Sequence, residues 1–121
     1  MKNKKALLRR EADKLWSIAY LKDKCEVCGN IDNLQGHHFY YKGSFPYVRY
    51  SKENCITLCI RCHSLLHHQD CQRETEKKII KVRGQKWYKN LNLLSKNKSQ
   101  SYLTENWYKE HIKTLKQSLK D

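Results

Sequence analysis

Long apolar runs are missing from this chain of 121 residues. The segment from Met1 to Arg10 interrupts its Lys and Arg residues only with Asn3 and the short run Ala6-Leu7-Leu8, which is not the apolar stretch of a secretory signal. No segment approaches the roughly 20 apolar residues of a membrane span. Hydrophobic residues reach only 39% and the mean hydropathy is -0.92, which leaves a lean interior and a wet surface. Acidic residues are also scarce: 12 Asp and Glu stand against 25 Lys and Arg, a formal net charge of +13. Solubility alone is the plain reading of that excess; the sharper one is a polyanionic partner, of which nucleic acid is the commonest. There is no internal repeat. The expectation is one domain over residues 1–121, soluble and cytoplasmic, with a small core.

What the chain does have is a dense set of metal-binding side chains. Six cysteines in a small secreted chain would suggest disulfides, but nothing here points outside the cell, and Cys-x-x-Cys pairs beside histidines in a reducing compartment read as metal sites. Cys25 and Cys28 form one hook, Cys59 and Cys62 the other, and the two can close a tetrahedral four-cysteine zinc site. Such ligation contributes roughly 10–16 kcal/mol in small zinc modules, which a lean core would need. Four thiolates fill that site, so His37, His38, His63 and His67 are left over for a second centre.

The spacing of those histidines has chemical meaning. His63 and His67 are four residues apart, so on a helix they share one face and can grip one ion. His37 and His38 are adjacent, and in an extended segment their rings point to opposite sides. One can ligate while the other meets substrate or water, a division that suits phosphodiester hydrolysis: a metal stabilises charge on phosphate and leaving oxygen, and a neutral imidazole takes a proton from water. Such a base needs a partner that fixes its orientation, and Asn54 is a candidate. Taken alone, a histidine pair at this spacing is usually a surface feature and an asparagine usually marks a turn. The neighbouring hooks are what change the reading.

Around this centre the pattern predicts an α+β fold in three segments. Residues 4–22 form a basic amphipathic helix with Leu8, Ala12, Leu15 and Ala19 inward and Ile18 widening the stripe. Residues 25–69 carry the metal region, with strands at Val48-Arg49-Tyr50 and Cys55 to Leu58, breakers at Tyr41 to Ser44 and Pro46, and a helix over His63 to His67. Residues 71–121 are helical: Ile79, Ile80 and Val82 bury, Gly84 stops the first helix, and Trp87, Leu91 and Leu94 share a face of the second. After a polar break at Asn97 to Ser101, Thr104 caps a last helix with Trp107 or Tyr108, Ile112, Leu115 and Leu119 inward. Cys55 reads as a small buried residue, Cys71 as a free thiol, His68 as a poor ligand and His111 as structural.

The run Cys25-Glu-Val-Cys28-Gly29, Leu34-Gln-Gly-His37-His38, Asn54-Cys-Ile-Thr-Leu-Cys59-Ile-Arg-Cys62-His63 and His67 resembles the HNH nuclease family and its ββα-metal finger. The resemblance covers about the middle third of the chain. It implies His37, His63 and His67 as ligands of a catalytic divalent ion, His38 as general base, Asn54 as the residue that orients the base's loop, and the four cysteines as zinc hooks. It also implies DNA cleavage leaving 5′-phosphate and 3′-hydroxyl ends. A narrower likeness, His38-Phe-Tyr-Tyr-Lys-Gly43-Ser-Phe-Pro46-Tyr-Val-Arg49-Tyr50 leading into Asn54, is to the lambdoid-phage NinG (Rap) recombination nucleases, which act on branched DNA. Those often carry Gly and Asn where this chain has His37 and His63, so this chain keeps the fuller ligand set of the wider family. A phage-encoded protein would work in the cytoplasm of its bacterial host.

Three imidazoles accept Zn, Ni, Co or Mn more readily than Mg, which prefers oxygen. Lys42, Arg49 and Arg61 are candidate phosphate contacts. Tyr40, Tyr41, Phe45 and Tyr47, interleaved with Lys42 and Arg49, suit either ordinary packing or stacking on unpaired bases. The terminal amphipathic helices suit either a homodimer interface or packing on their own core. The alternative to an enzyme is a zinc-stabilised nucleic-acid-binding module without catalysis, and an RNA-directed nuclease is a further one. In each case affinity should come mostly from phosphates, so a titration of binding against salt is expected to show a steep fall.

Overall fold

The computed structural model describes residues 3–40, 45–97 and 104–120. It is mixed α and β. Helix α1 spans Lys4–Ala19, strand β1 Leu34–His38, strand β2 Cys55–Cys59, and helix α2 Ile60–His67 follows β2 directly. Helices α3 (Gln72–Arg83), α4 (Gln85–Ser95) and α5 (Glu105–Lys120) complete the described residues. None of these helices is long and apolar enough to cross a membrane.

Local chemistry sets the ends. The Asn3 side chain caps α1 by accepting the Lys5 N–H at 2.9 Å. At α5, the Thr104 hydroxyl accepts the Trp107 N–H at 3.1 Å, the expected cap. Gly84 separates α3 from α4 with φ 99°, a conformation that costs a side-chain-bearing residue but not glycine.

β1 and β2 pair antiparallel with Leu34 opposite Cys59 and His38 opposite Cys55. Every residue of β2 is buried, because helices cover both faces of this two-stranded sheet. Alternation along the strand sorts its side chains. Cys55 joins Ala12, Trp16, Tyr50, Tyr108, Ile112 and Leu115 on the α1–α5 side. Ile56 and Leu58 join Cys25, Cys59, Cys62, Leu66 and Ile79 on the α2–α3 side. β1 runs so close beneath α1 that a Cβ on Gly36 would lie 2.8 Å from both the Ser17 carbonyl oxygen and the Cys55 sulfur.

Two part-buried ion pairs lash helices to this sheet. The Glu26 side chain, 4% exposed, accepts from Arg83 Nε and Nη2 and from the Thr57 N–H at 2.7 Å. Arg83 Nη2 also donates to the Cys55 carbonyl at 2.7 Å. Burial works against the Glu26 carboxylate, but the Arg83 and Thr57 hydrogen bonds outweigh it and hold its pKa below the ordinary value. On the opposite face, Asp13 receives Arg49 in bidentate fashion (3.0 and 2.8 Å) and the Tyr50 hydroxyl at 2.8 Å.

Several expectations need correction. Val48-Arg49-Tyr50 is not a strand: Pro46–Val48 is a 3₁₀ turn, and the N–H groups of Val48, Arg49 and Ser51 bond back to Phe45, Pro46 and Val48, leaving no ladder to make. Val48 and Tyr50 are buried, so the pattern reported burial rather than extension. The first strand lies earlier, at Leu34–His38. In α1 the expected Leu8, Ala12, Leu15 and Ala19 do meet the core, joined by the buried Trp16, but Ile18 is 48% exposed. Val82, Leu94 and Leu119 are also exposed, at 59%, 40% and 43%, because each helix buries a narrower face than its apolar content suggested. The expected breakers at Tyr41 to Ser44 lie outside the described residues, as does most of the polar break, residues 98–101.

Gly36→Ala should destabilise the protein by about 1–3 kcal/mol, since both close neighbours are held by backbone or by a buried strand. Urea denaturation of parent and variant measures this; equal midpoints would show that α1 yields freely.

Candidate functional site

The four hook cysteines come together. Cys25 and Cys28 sit in a turn closed by the Gly29 N–H to the Cys25 carbonyl (2.9 Å), with Gly29 at φ 79°. Cys59 is the N-cap of α2 and Cys62 lies in its first turn, so the second hook sits at the positive end of a helix. The four sulfur atoms all lie within 4.8 Å of one another, and Cys28 and Cys59 are 3.6 Å apart. Tetrahedral zinc with Zn–S bonds of about 2.3 Å would place its sulfurs about 3.8 Å apart. Burial disfavours the Cys25 thiolate, yet N–H groups of Cys28, Cys59 and Val27 outweigh it and bring its pKa down to about 6. Burial and the neighbouring thiols push Cys62 the other way, so without an ion the four thiols share their protons unevenly. These cysteines can hold a structural metal such as zinc.

The histidines divide between the two faces of β1. His37 stacks on His63, with centroids 3.6 Å apart and planes inclined by 12°, and His63 meets His67 edge-on at 4.5 Å. Burial, reinforced by the neighbouring imidazoles, lowers the His37 pKa to about 4 and lowers that of His63 as well. Both rings are neutral at pH 7 with lone pairs suited to a metal. Their donor atoms do not converge, however. An ion bound by an imidazole lies near the plane of that ring, and two nearly parallel stacked planes share no such position; among the described residues the four cysteines are the only His, Cys, Asp or Glu group gathered within 4.8 Å. One ring would have to turn for the three imidazoles to share an ion.

On the opposite face, His38 stacks on Trp16 of α1 at 3.7 Å and 11°. Its Nε2 lies 2.8 Å from the Arg49 carbonyl oxygen. A carbonyl can only accept, so Nε2 carries the proton and the neutral ring has its lone pair on Nδ1. Trp16 is itself fixed by donating its indole N–H to the Ser51 carbonyl at 3.0 Å. Asn54 is fully buried and clamps the loop that joins the strands. Its Oδ1 accepts the Tyr40 N–H at 2.8 Å, and its Nδ2 donates to the carbonyls of Tyr40 and Val48, each at 3.1 Å.

Arg49 is 8% exposed and its guanidinium is engaged by Asp13; it is neither a solvated strand residue nor an open phosphate contact in this arrangement. Arg61 is exposed in the first turn of α2. Lys42 lies outside the described residues. Cys55 is buried, Cys71 sits at the N-cap of α3, and His111 is half-buried against Tyr50 and Trp107. Sequence reasoning overlooked Trp16, although its spacing of four from Ala12 signalled it. It could not find Asp13, whose partner lies 36 positions away and whose own helix face reads as polar.

Compared with known proteins, the chain matches no family model, no curated protein and no solved structure.

The lowered His37 pKa has a defined consequence for stability. A group whose folded pKa lies below its unfolded value of 6.5 contributes fully above pH 6.5 and loses that contribution as pH falls toward about 4. Urea titrations across this window should show the parent losing stability faster than His37→Gln; parallel curves would mean that His37 titrates normally.

Proposed function

We propose that the protein is a metal-dependent endonuclease of the HNH type that hydrolyses DNA phosphodiester bonds, with branched recombination intermediates as its preferred substrate. The observation that carries the reading is the His37–His38 pair. One strand presents a neutral imidazole to His63 and His67 on α2, and on its other face a second imidazole whose tautomer is dictated by a backbone carbonyl.

In this reading zinc in the four-cysteine site staples the turn at Cys25 to the β2–α2 junction. His37, His63 and His67 would hold a divalent ion once one of the two stacked rings turns, and that ion would polarise the scissile phosphate and stabilise the leaving oxygen. His38 takes the proton of the attacking water, while its Nε2 stays on the Arg49 carbonyl and steadies the imidazolium that forms. Trp16 holds the plane of that ring, and Asn54 keeps the loop bearing Arg49 closed over it. The net charge of +13 supplies the attraction to a polyanion.

The stacked His37–His63 geometry favours a second reading, a zinc-stabilised nucleic-acid-binding module without catalysis, because stacked rings do not form a ligand set. Nicking of supercoiled DNA, paired with metal analysis, separates the two. The nuclease reading expects two ions per parent chain and one after replacing His63 and His67, with His38→Ala slowing cleavage by about 10²–10⁴-fold. One zinc per chain throughout and no nicking under any divalent ion would leave the binding module. Cleavage of a four-way junction no faster than linear duplex would remove the branched-substrate preference alone.

A further inference from the structure

The aromatic residues that follow His38 do more than pack. Phe39, Tyr40, Phe45 and Tyr88 line a cavity of about 180 Å³, and its remaining wall is Gln72 and Glu76, one turn apart on α3. The rings pack edge to face along one side of it: Phe39 and Tyr40 at 84°, Phe39 and Tyr88 at 83°, Tyr40 and Phe45 at 60°. On the polar wall the Gln72 amide donates to Glu76 Oε1 at 3.0 Å, which steadies the carboxylate. Burial, with Tyr88 and Glu76 close by, pushes the Tyr40 phenol up to about 12, so it keeps its proton.

The cavity is open on one side, so it admits one ring system, a purine with part of its edge left outside. Drug-sized ligands take about 300–1,000 Å³, whereas an apolar cavity of about 150 Å³ already admits benzene. The walls select a planar aromatic ligand, and Glu76 rejects a phosphate while accepting N–H donors. A chain of this net charge draws a polyanion, and the uncharged planar part of a nucleic acid is its base. Among the bases, guanine presents two adjacent donors to one carboxylate, N1–H and the exocyclic amine. Both sit on the Watson–Crick edge and are open only when the base is unpaired.

We propose that this cavity receives one unpaired base of a nucleic-acid strand, stacked among Phe39, Tyr40, Phe45 and Tyr88, with guanine held by Glu76 in preference to the other bases. The site deepens the nuclease reading, on which its place beside His38 rests: Phe39 and Tyr40 continue the strand that carries the proposed base, and Asn54 clamps Tyr40 to the same loop. A substrate with unpaired bases, as at a branch point, would then be recognised beside the bond to be cut.

Equilibrium binding tests this independently of cleavage. Full-length protein carrying zinc and His38→Ala, so that strands stay intact, is titrated by fluorescence anisotropy at fixed salt with short thymine strands containing one guanine, adenine or cytosine. The guanine strand should bind about tenfold tighter than the all-thymine strand. Glu76→Gln should erase that preference, and Phe45→Ala should weaken every strand on the order of tenfold. Equal affinity for all the strands overturns the assignment, whether or not the parent cuts DNA. A guanine preference that survives Glu76→Gln overturns it too. A parent that cuts nothing, yet shows the Glu76-dependent preference, would remove the nuclease reading and keep the pocket.

Discussion

The pairing register of β1 on β2 is the constraint on which the rest of the site depends. With His37 opposite Ile56 and His38 opposite Cys55, one imidazole faces α2 and the other faces α1. A slip by one residue would exchange the two, since side chains alternate across a strand, and would put the ring now beside His63 against Trp16. A two-stranded ribbon is too weak to specify its own register. Here it is pinned at both ends: the cysteine cluster gathers around Cys59, opposite Leu34, and Asn54 binds Tyr40 just past His38. Gly36 at the middle of β1 adds a steric restraint by admitting α1 and Cys55 at close range.

Charge completes what the lean core cannot. Glu26 with Arg83 and Asp13 with Arg49 each join residues far apart in the chain, one pair on each side of the sheet. Replacing such pairs by apolar groups is often neutral, whereas removing one partner leaves the other charge uncompensated, most costly at Glu26, the least exposed of the four. Their value here is geometric. Arg83 reaches both Glu26, inside the first cysteine hook, and the backbone of β2, so α3 locates the hook relative to the sheet. Arg49 is held by α1 through its guanidinium and holds His38 through its carbonyl. Helix α1 thus reaches His38 twice, through Trp16 directly and through Asp13 by way of Arg49.

The metal-binding pattern was legible because its rules are local. Two residues between cysteines and three between helical histidines are spacings set by backbone geometry, and the hooks closed as those spacings required. The extended conformation at His37-His38 and the helix at His63–His67 followed the same logic. The misreading of Val48-Arg49-Tyr50 shows the limit: apolar and aromatic residues alternate there because the loop folds inward under Asn54, and periodicity records burial without naming the backbone that achieves it. The stripe on α1 was legible in Leu8, Ala12, Leu15 and Ala19, which all meet the core, but not in its full extent. Trp16 belongs to that stripe and Asp13 borders it, and both are engaged by residues more than 30 positions away.

By itself, then, the sequence determined the four-thiol cluster, the helical segments with their caps at Thr104 and Gly84, and the excess of positive charge. All of these follow from residue type and short-range spacing. Only the tertiary structure decided that His38 would be stacked and tautomerically fixed, that Arg49 would be buried on Asp13, and that His37 and His63 would meet face to face. Each depends on where α1, α2 and the loop settle around two short strands, and that placement is set by packing and pairing between distant residues, which no local pattern encodes.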